Sequence, residues 1–293
     1  MKKYLFQGVC TALVTPFLNN EINYEMLDKL IAFQRTSGVN AIALAGTTGE
    51  APTLSDKEKI SLFKLGKECA GDACTVIAGT GSNSTGHCVE LSIAAQEAGV
   101  DALLVVSPYY NKANIDGLIK HYQMIAEAVR LPVILYNVPS RTGLDIPVSV
   151  YKHLADIQNI VGVKEASNDI TKITDTLAAC PPKFQVWTGN DAHTVAAMSV
   201  GAKGVISVAS NVCPKEIVLM ADAVLHSDIK AAAALQRQLN KLNKLLFSEV
   251  NPIPVKAAME ILGFNCGPCR LPLGTLSRDT FAQLQNQLSM LGI

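Results

Sequence analysis

Apolar positions recur along this chain in two alternating rhythms. Short β-branched runs are followed by longer stretches in which apolar residues return every three or four positions. The short runs read as strands, and eight are predicted: Gly8–Val14, Ala41–Ala45, Thr75–Gly79, Ala102–Val106, Val133–Tyr136, Ile160–Lys164, Gln185–Thr188 and Gly204–Val208. The longer stretches read as amphipathic helices at Tyr24–Ser37, Asp56–Ala70, Thr85–Ala98, Ile115–Val129, Ile170–Ala179 and, after the eighth strand, Lys215–Leu225. Consecutive strands begin roughly 20–35 residues apart, the spacing of a βα unit. Gly38, Gly99 and Gly201 stand where one helix closes and the next strand enters. This alternation predicts an α/β protein with a parallel sheet covered on both faces. Eight repeats favour a closed (β/α)8 barrel of the TIM type over an open sheet. Beyond residue 226 no strand pattern remains. Helical stretches at Asp228–Phe247, Pro254–Leu262 and Ser277–Leu291 predict a C-terminal helical appendage over 227–293, after a barrel over 1–226.

Composition narrows the class. The chain has 293 residues, enough for two average domains or for one barrel of about 250. Hydrophobic residues make up 49% and charged residues 17%, against about 25% charged in typical soluble chains, so a large core is expected and disorder is excluded. Lys plus Arg and Asp plus Glu both number 25, leaving no net charge. A nucleic-acid or membrane-surface partner needs a positive excess and is not expected, whereas a charge-poor surface suits self-association. No apolar run reaches the ~18–20 residues of a membrane span. Lys2-Lys3 ahead of Tyr4-Leu5-Phe6 resembles the start of a leader peptide, but Gln7 interrupts the run and no small-x-small cleavage site follows. A cytoplasmic location is therefore expected.

Eight cysteines are scattered through the chain, unlike the framework of a small secreted domain. Cys266-Gly-Pro-Cys269 matches a redox tetrapeptide, yet Pro272 follows where such a site opens a helix. A redox role is not expected, nor is zinc, because no second Cys or His pair lies nearby. Gly79-Thr-Gly81 does not complete a dinucleotide fingerprint, and no phosphate loop or His-Glu-x-x-His is present. No metal or organic cofactor is expected.

In such barrels chemistry sits at the C-terminal ends of the strands. The end of the sixth carries Lys164. By two-residue alternation Ile160, Gly162 and Lys164 share one face and Val161 and Val163 the other, which aims Lys164 into the barrel mouth with Gly162 leaving space beneath it. Burial favours a neutral amine, and a neutral amine forms a Schiff base with a carbonyl substrate. The alternative is a lysine paired with a carboxylate such as Glu165, although alternation points Glu165 the other way. Tyr136, at the end of the fifth strand, reads either as a proton relay or as a core tyrosine with its hydroxyl satisfied. Thr47 and Thr48, between Gly46 and Gly49, offer hydroxyls and backbone N–H groups to a carboxylate. Arg141 reads as a surface arginine or as a grip on a second carboxylate.

Together, Gly46-Thr-Thr-Gly-Glu50, Tyr136-Asn-Val-Pro-Ser-Arg-Thr-Gly143 and Gly162-Val-Lys-Glu-Ala-Ser167 resemble the signatures of the dihydrodipicolinate synthase family, within the pyruvate-dependent class I aldolases. Thr11-Ala-Leu-Val-Thr-Pro-Phe17 and Pro108-Tyr-Tyr-Asn111 fit as well, and the resemblance covers essentially the whole chain. It implies a lyase of lysine and diaminopimelate biosynthesis that joins pyruvate to aspartate semialdehyde without a cofactor. Lys164 would carry the Schiff base with pyruvate. Tyr136, Thr47 and Tyr110 would relay protons, Tyr110 reaching across a subunit interface. Thr47 and Thr48 would hold the pyruvate carboxylate, Arg141 that of aspartate semialdehyde, and Gly189 and Ile206 would line the pocket. It also implies a homotetramer built as a dimer of dimers.

Some members are inhibited by lysine at an interface site, which Asn83 and Tyr109 match. This chain has Asp56, Lys59 and His87 where lysine-sensitive members often carry histidines and a glutamate, so weak or absent inhibition is expected. The nearest alternative is a sister aldolase acting on a sugar acid, such as N-acetylneuraminate or a keto-deoxy-sugar acid. That group generally lacks an arginine at the position of Arg141. A keto-acid binder without turnover is a more distant one, disfavoured by the intact Lys164, Tyr136 and Thr47.

Overall fold

In the computed structural model, which describes residues 5–293, eight parallel strands close into a barrel. Lys2, Lys3 and Tyr4, weighed above as a leader, lie outside the described residues. The strands are β1 (Gly8–Ala12), β2 (Ala41–Leu44), β3 (Thr75–Gly79), β4 (Ala102–Val106), β5 (Val133–Asn137), β6 (Ile160–Glu165), β7 (Gln185–Thr188) and β8 (Gly204–Ser207). Each pairs with its neighbour in sequence, and β8 closes on β1 through Gly8 opposite Gly204 and Cys10 opposite Ile206. β1 and β8 end earlier than their apolar runs, at Ala12 and Ser207.

Every long predicted helix is present within a residue or two. Side-chain caps explain several boundaries. Asn23, Asn114, Asp169, Asp228 and Ser277 accept from backbone N–H groups of the first turns they open. Ser55 and Glu58 form a reciprocal capping box at the start of Asp56–Ala70. Short helices at Pro139–Thr142, Val148–Leu154 and Thr194–Ser199 and a two-residue hairpin, Phe17–Leu18 with Glu21–Ile22, were not predicted. Three helices follow the barrel, Ile229–Leu245, Ile253–Ile261 and Arg278–Leu291, and their apolar faces share one core with the helices around the barrel.

The barrel interior is a separate cluster that includes Cys10, Ala12, Ala43, Leu104, Ile134, Tyr136, Trp187 and Ile206, with Phe6 stacked on Trp187 at 4.8 Å. Here the expected facing of β6 needs correction. The β5–β6 register slips between Val133, opposite Ile160, and Ile134, opposite Gly162. As a result Ile160 packs in the outer core and Val161 against the inner one. Beyond the slip the alternation holds, with Val163 outward and Lys164 opposite the inward Tyr136.

The outer layer contains one buried histidine. His121 hydrogen-bonds Thr85 Oγ1 through Nδ1 at 2.9 Å, while its buried Nε2 has no partner. Burial holds its pKa down at about 4. Between about pH 6.5 and pH 4 the unfolded chain takes up this proton and the folded one does not, so stability falls as pH drops through that window. The depression corresponds to a loss on the order of 2–3 kcal/mol by pH 4. His121→Gln, compared with the parent in melting curves from pH 7 to pH 4, is expected to flatten that fall.

Among the described residues no helix is long and apolar enough to cross a membrane.

Candidate active site

The C-terminal strand ends open onto a cavity of about 680 Å³ whose wall includes Thr47, Tyr136 and Arg141. Lys164 lies just behind that wall. It is 5% exposed, and its Nζ sits 4.4 Å from the centroid of the Tyr136 ring. No carboxylate forms an ion pair with it among the described residues. Glu165 points to the outer side, where its carboxylate accepts from Asn137 Nδ2, Tyr151 Oη and the Ser167 N–H at 2.8–2.9 Å. The pairing of Lys164 with Glu165 is therefore ruled out by geometry. A buried amine not tied up in an ion pair, beside a phenol, can attack a carbonyl.

The space beneath Lys164 has a different origin from the one expected. A Cβ on Gly162 would stand 2.0 Å from the carbonyl oxygen of Gln185 on β7. Gly162 is needed for the approach of the two strands, not to make room for the lysine. The glycine that accommodates the lysine is Gly189, where a Cβ would fall 2.8 Å from Lys164 Cε. Neither Gly189 nor Ile206 forms the cavity wall in the single chain. Ile206 is wholly buried inside the barrel.

Thr48 is also set back from the wall. Its Oγ1 accepts from Asn251 Nδ2 at 3.0 Å, which leaves the hydroxyl proton free to donate. Arg141 sits on the short helix Pro139–Thr142 and donates from Nη2 to the Asn251 carbonyl at 3.2 Å. Asn251 itself borders the cavity and was missed by sequence reasoning, which read its neighbourhood only as a helix start. Tyr110 stands apart, 93% exposed, with a left-handed backbone at φ 70°. A side chain in such a position contributes to a site only if another surface comes to meet it.

Asp191, after β7, is fully buried. Its carboxylate accepts from the Ser207 hydroxyl and from the N–H groups of Val208 and Ala209 at 2.9 and 3.0 Å, tying the loop after β7 to the end of β8. Burial pushes its pKa up, opposed by these hydrogen bonds and by the nearby Lys164 charge.

At its outer end the same cavity is bordered by Asp56, Lys59, His87 and Tyr109. His87 Nε2 lies 2.9 Å from Asp56 Oδ2, and the buried Lys59 Nζ 4.0 Å from Asp56 Oδ1. Burial lowers the Lys59 pKa. The Cys266–Cys269 segment is anchored against Phe17. The Cys266 carbonyl accepts from the Phe17 N–H at 2.8 Å, Gly267 packs against the Phe17 carbonyl, and burial pushes both thiols up to about 12. Thiols held protonated at neutral pH are weak nucleophiles.

The chain is similar to known proteins over nearly its whole length. The model of the dihydrodipicolinate synthetase family matches residues 5–291. A 4-hydroxy-tetrahydrodipicolinate synthase of Acetivibrio thermocellus is 44% identical over 293 residues, covering all of both chains. One from a Thermoanaerobacter species is 46% identical over 290 residues, 99% of this chain and 98% of the relative. The solved dihydrodipicolinate synthase of Aquifex aeolicus superposes with a TM-score of 0.96 at 41% identity, over 98% of each chain. The chain belongs to the dihydrodipicolinate synthetase family.

Proposed function

We propose that the protein condenses pyruvate with L-aspartate 4-semialdehyde to give 4-hydroxy-tetrahydrodipicolinate, the activity for which its relatives are named. The observation that carries the residue assignment is Lys164: buried, in no ion pair with a carboxylate among the described residues, and 4.4 Å from the Tyr136 ring at the edge of the cavity.

The Lys164 amine adds to the ketone carbon of pyruvate. Tyr136 passes a proton to the carbinolamine oxygen, which leaves as water, and an iminium remains. Loss of a methyl proton gives the enamine, whose carbon attacks the aldehyde of the second substrate. The amino group of that substrate then closes on the iminium carbon, and Lys164 departs as the free amine. Thr47 and Thr48 hold the pyruvate carboxylate, and Arg141 grips the carboxylate of the semialdehyde. Gly189 leaves room for the Lys164 stem, while Ile206 packs inside the barrel. Tyr110 completes the proton relay with Thr47 when a second copy presents it, so the working form is a homo-oligomer, a tetramer built from dimers. The cytoplasm is the fitting compartment for such a biosynthetic step.

Incubation with both substrates should yield a product whose mass is their sum less one water. Release of pyruvate from N-acetylneuraminate or a keto-deoxy-sugar acid, without that condensation, would replace this reading with the sister-aldolase one. The relatives named above do not favour that alternative.

The outer end of the cavity supports weak or absent inhibition by lysine. The carboxylate of Asp56 is already engaged by His87 and approached by Lys59, so an incoming ammonium meets a cation where it needs an anion. Activity is expected to stay within about twofold at millimolar lysine. A halving at sub-millimolar lysine would contradict this.

A further inference from the structure

The loop that presents Thr47 and Thr48 is bracketed by two non-glycine residues in left-handed backbone, Ala45 at φ 50° and Glu50 at φ 58°. Left-handed backbone is unfavourable for any residue with a Cβ, and Gly46 and Gly49 stand only a step away. A glutamate placed there is therefore kept for its side chain. That side chain is wholly buried, and among the described residues every partner of its carboxylate comes from the C-terminal segment. Oε1 pairs with Lys256 Nζ at 2.8 Å, across 206 residues of chain, and Oε2 accepts from the Arg270 N–H at 2.8 Å. Lys256 is equally committed. It is buried, donates to the Pro268 carbonyl at 3.1 Å and lies 4.3 Å over the Phe17 ring. A second tie runs from the same segment to the same loop, the Asn251 amide on Thr48 Oγ1.

We infer that the Glu50–Lys256 pair is a strut by which the C-terminal helices hold the Thr47–Thr48 loop in its substrate-binding shape, which makes both positioning residues for the reaction. The inference rests on the reading that this loop takes the carboxylate of pyruvate. Neither group touches the reacting atoms. They fix the angle at which two hydroxyls and the adjoining N–H groups meet the substrate. Release of the strut lets Glu50 leave its left-handed conformation, and the hydroxyls drift from the carboxylate while Lys164 and Tyr136, on β6 and β5, stay in place.

The test compares Glu50→Gln, Lys256→Met and the double variant with the parent. The readouts are steady-state rates at varied pyruvate, the pyruvate concentration that half-saturates borohydride trapping, and the melting temperature. Each single variant leaves one buried charge without its partner and risks unfolding, whereas the double variant removes both charges. The double variant is expected to fold, to raise KM for pyruvate and the half-trapping concentration about tenfold or more, and to change kcat less than about threefold. A folded single variant should match the double rather than add to it, because the pair acts as a unit. A folded double variant with the parent's KM and half-trapping concentration would overturn the strut, and so would an unfolded one, since the pair would then serve stability alone. Absence of any pyruvate adduct in the parent would instead overturn the reading of the loop.

Discussion

Lys164→Met is expected to lose roughly 10³-fold or more in condensation rate and to form no pyruvate adduct. Methionine keeps nearly the length and volume of the lysine stem but cannot add to a ketone. No other lysine can take over, because the attacking amine has to stand beside Tyr136 at the edge of the cavity, as Lys164 Nζ does at 4.4 Å from the ring. The same substitution is expected to leave the melting temperature unchanged or to raise it. Lys164 is 5% exposed and forms no ion pair among the described residues, and burying a lone amine costs more than burying a thioether of similar size. A residue whose replacement abolishes the reaction while sparing the fold is one retained for chemistry. Rate assays and thermal melts on the one purified variant check both halves.

Gly162→Ala is expected to act in the opposite sense, on the fold first. The added methyl would meet the Gln185 carbonyl oxygen at 2.0 Å and its carbon at 2.8 Å. These are backbone atoms of a paired strand and cannot rotate away, so β6 and β7 must part. Overpacking of this kind costs about 3 kcal/mol or more, which for a chain of this size lowers Tm by roughly 6–10 °C. Activity should fall as well, since Lys164 lies two residues along the displaced strand. A melting temperature within about 2 °C of the parent's would contradict the close approach.

The barrel was legible because its buried parallel strands are short β-branched runs separated by helices of steady length. A run such as Ala102-Leu-Leu-Val-Val106 needs no partner to be recognised. What escaped lacked length or locality. Val148–Leu154 and Thr194–Ser199 are too short for a helical period to establish itself. The hairpin at Phe17–Ile22 did leave a signal, Asn19-Asn20, whose positive φ angles of 51° and 67° suit a tight turn. The slip opposite Ile160 and Val161 left none, since two adjacent β-branched residues read the same in either phase.

Of the candidate site, Lys164 and Tyr136 were legible from their place at strand ends. Thr47 and Thr48 were marked by flanking glycines, and Arg141 by its company rather than by itself. Gly189 and Ile206 were named through resemblance alone. The physical reason for Gly189, the Lys164 stem against it, exists only in three dimensions. Glu50, quoted only as the end of a signature, and Asn251 and Lys256 were given no role, because their meaning lies in contacts across some 200 residues of chain, which no local pattern records.

The most direct test of the central claim is borohydride reduction in the presence of pyruvate, followed by mass mapping of the peptides. The account predicts one adduct per chain, on Lys164, formed only when both reagents are present. No adduct, or one spread over surface lysines, would contradict it.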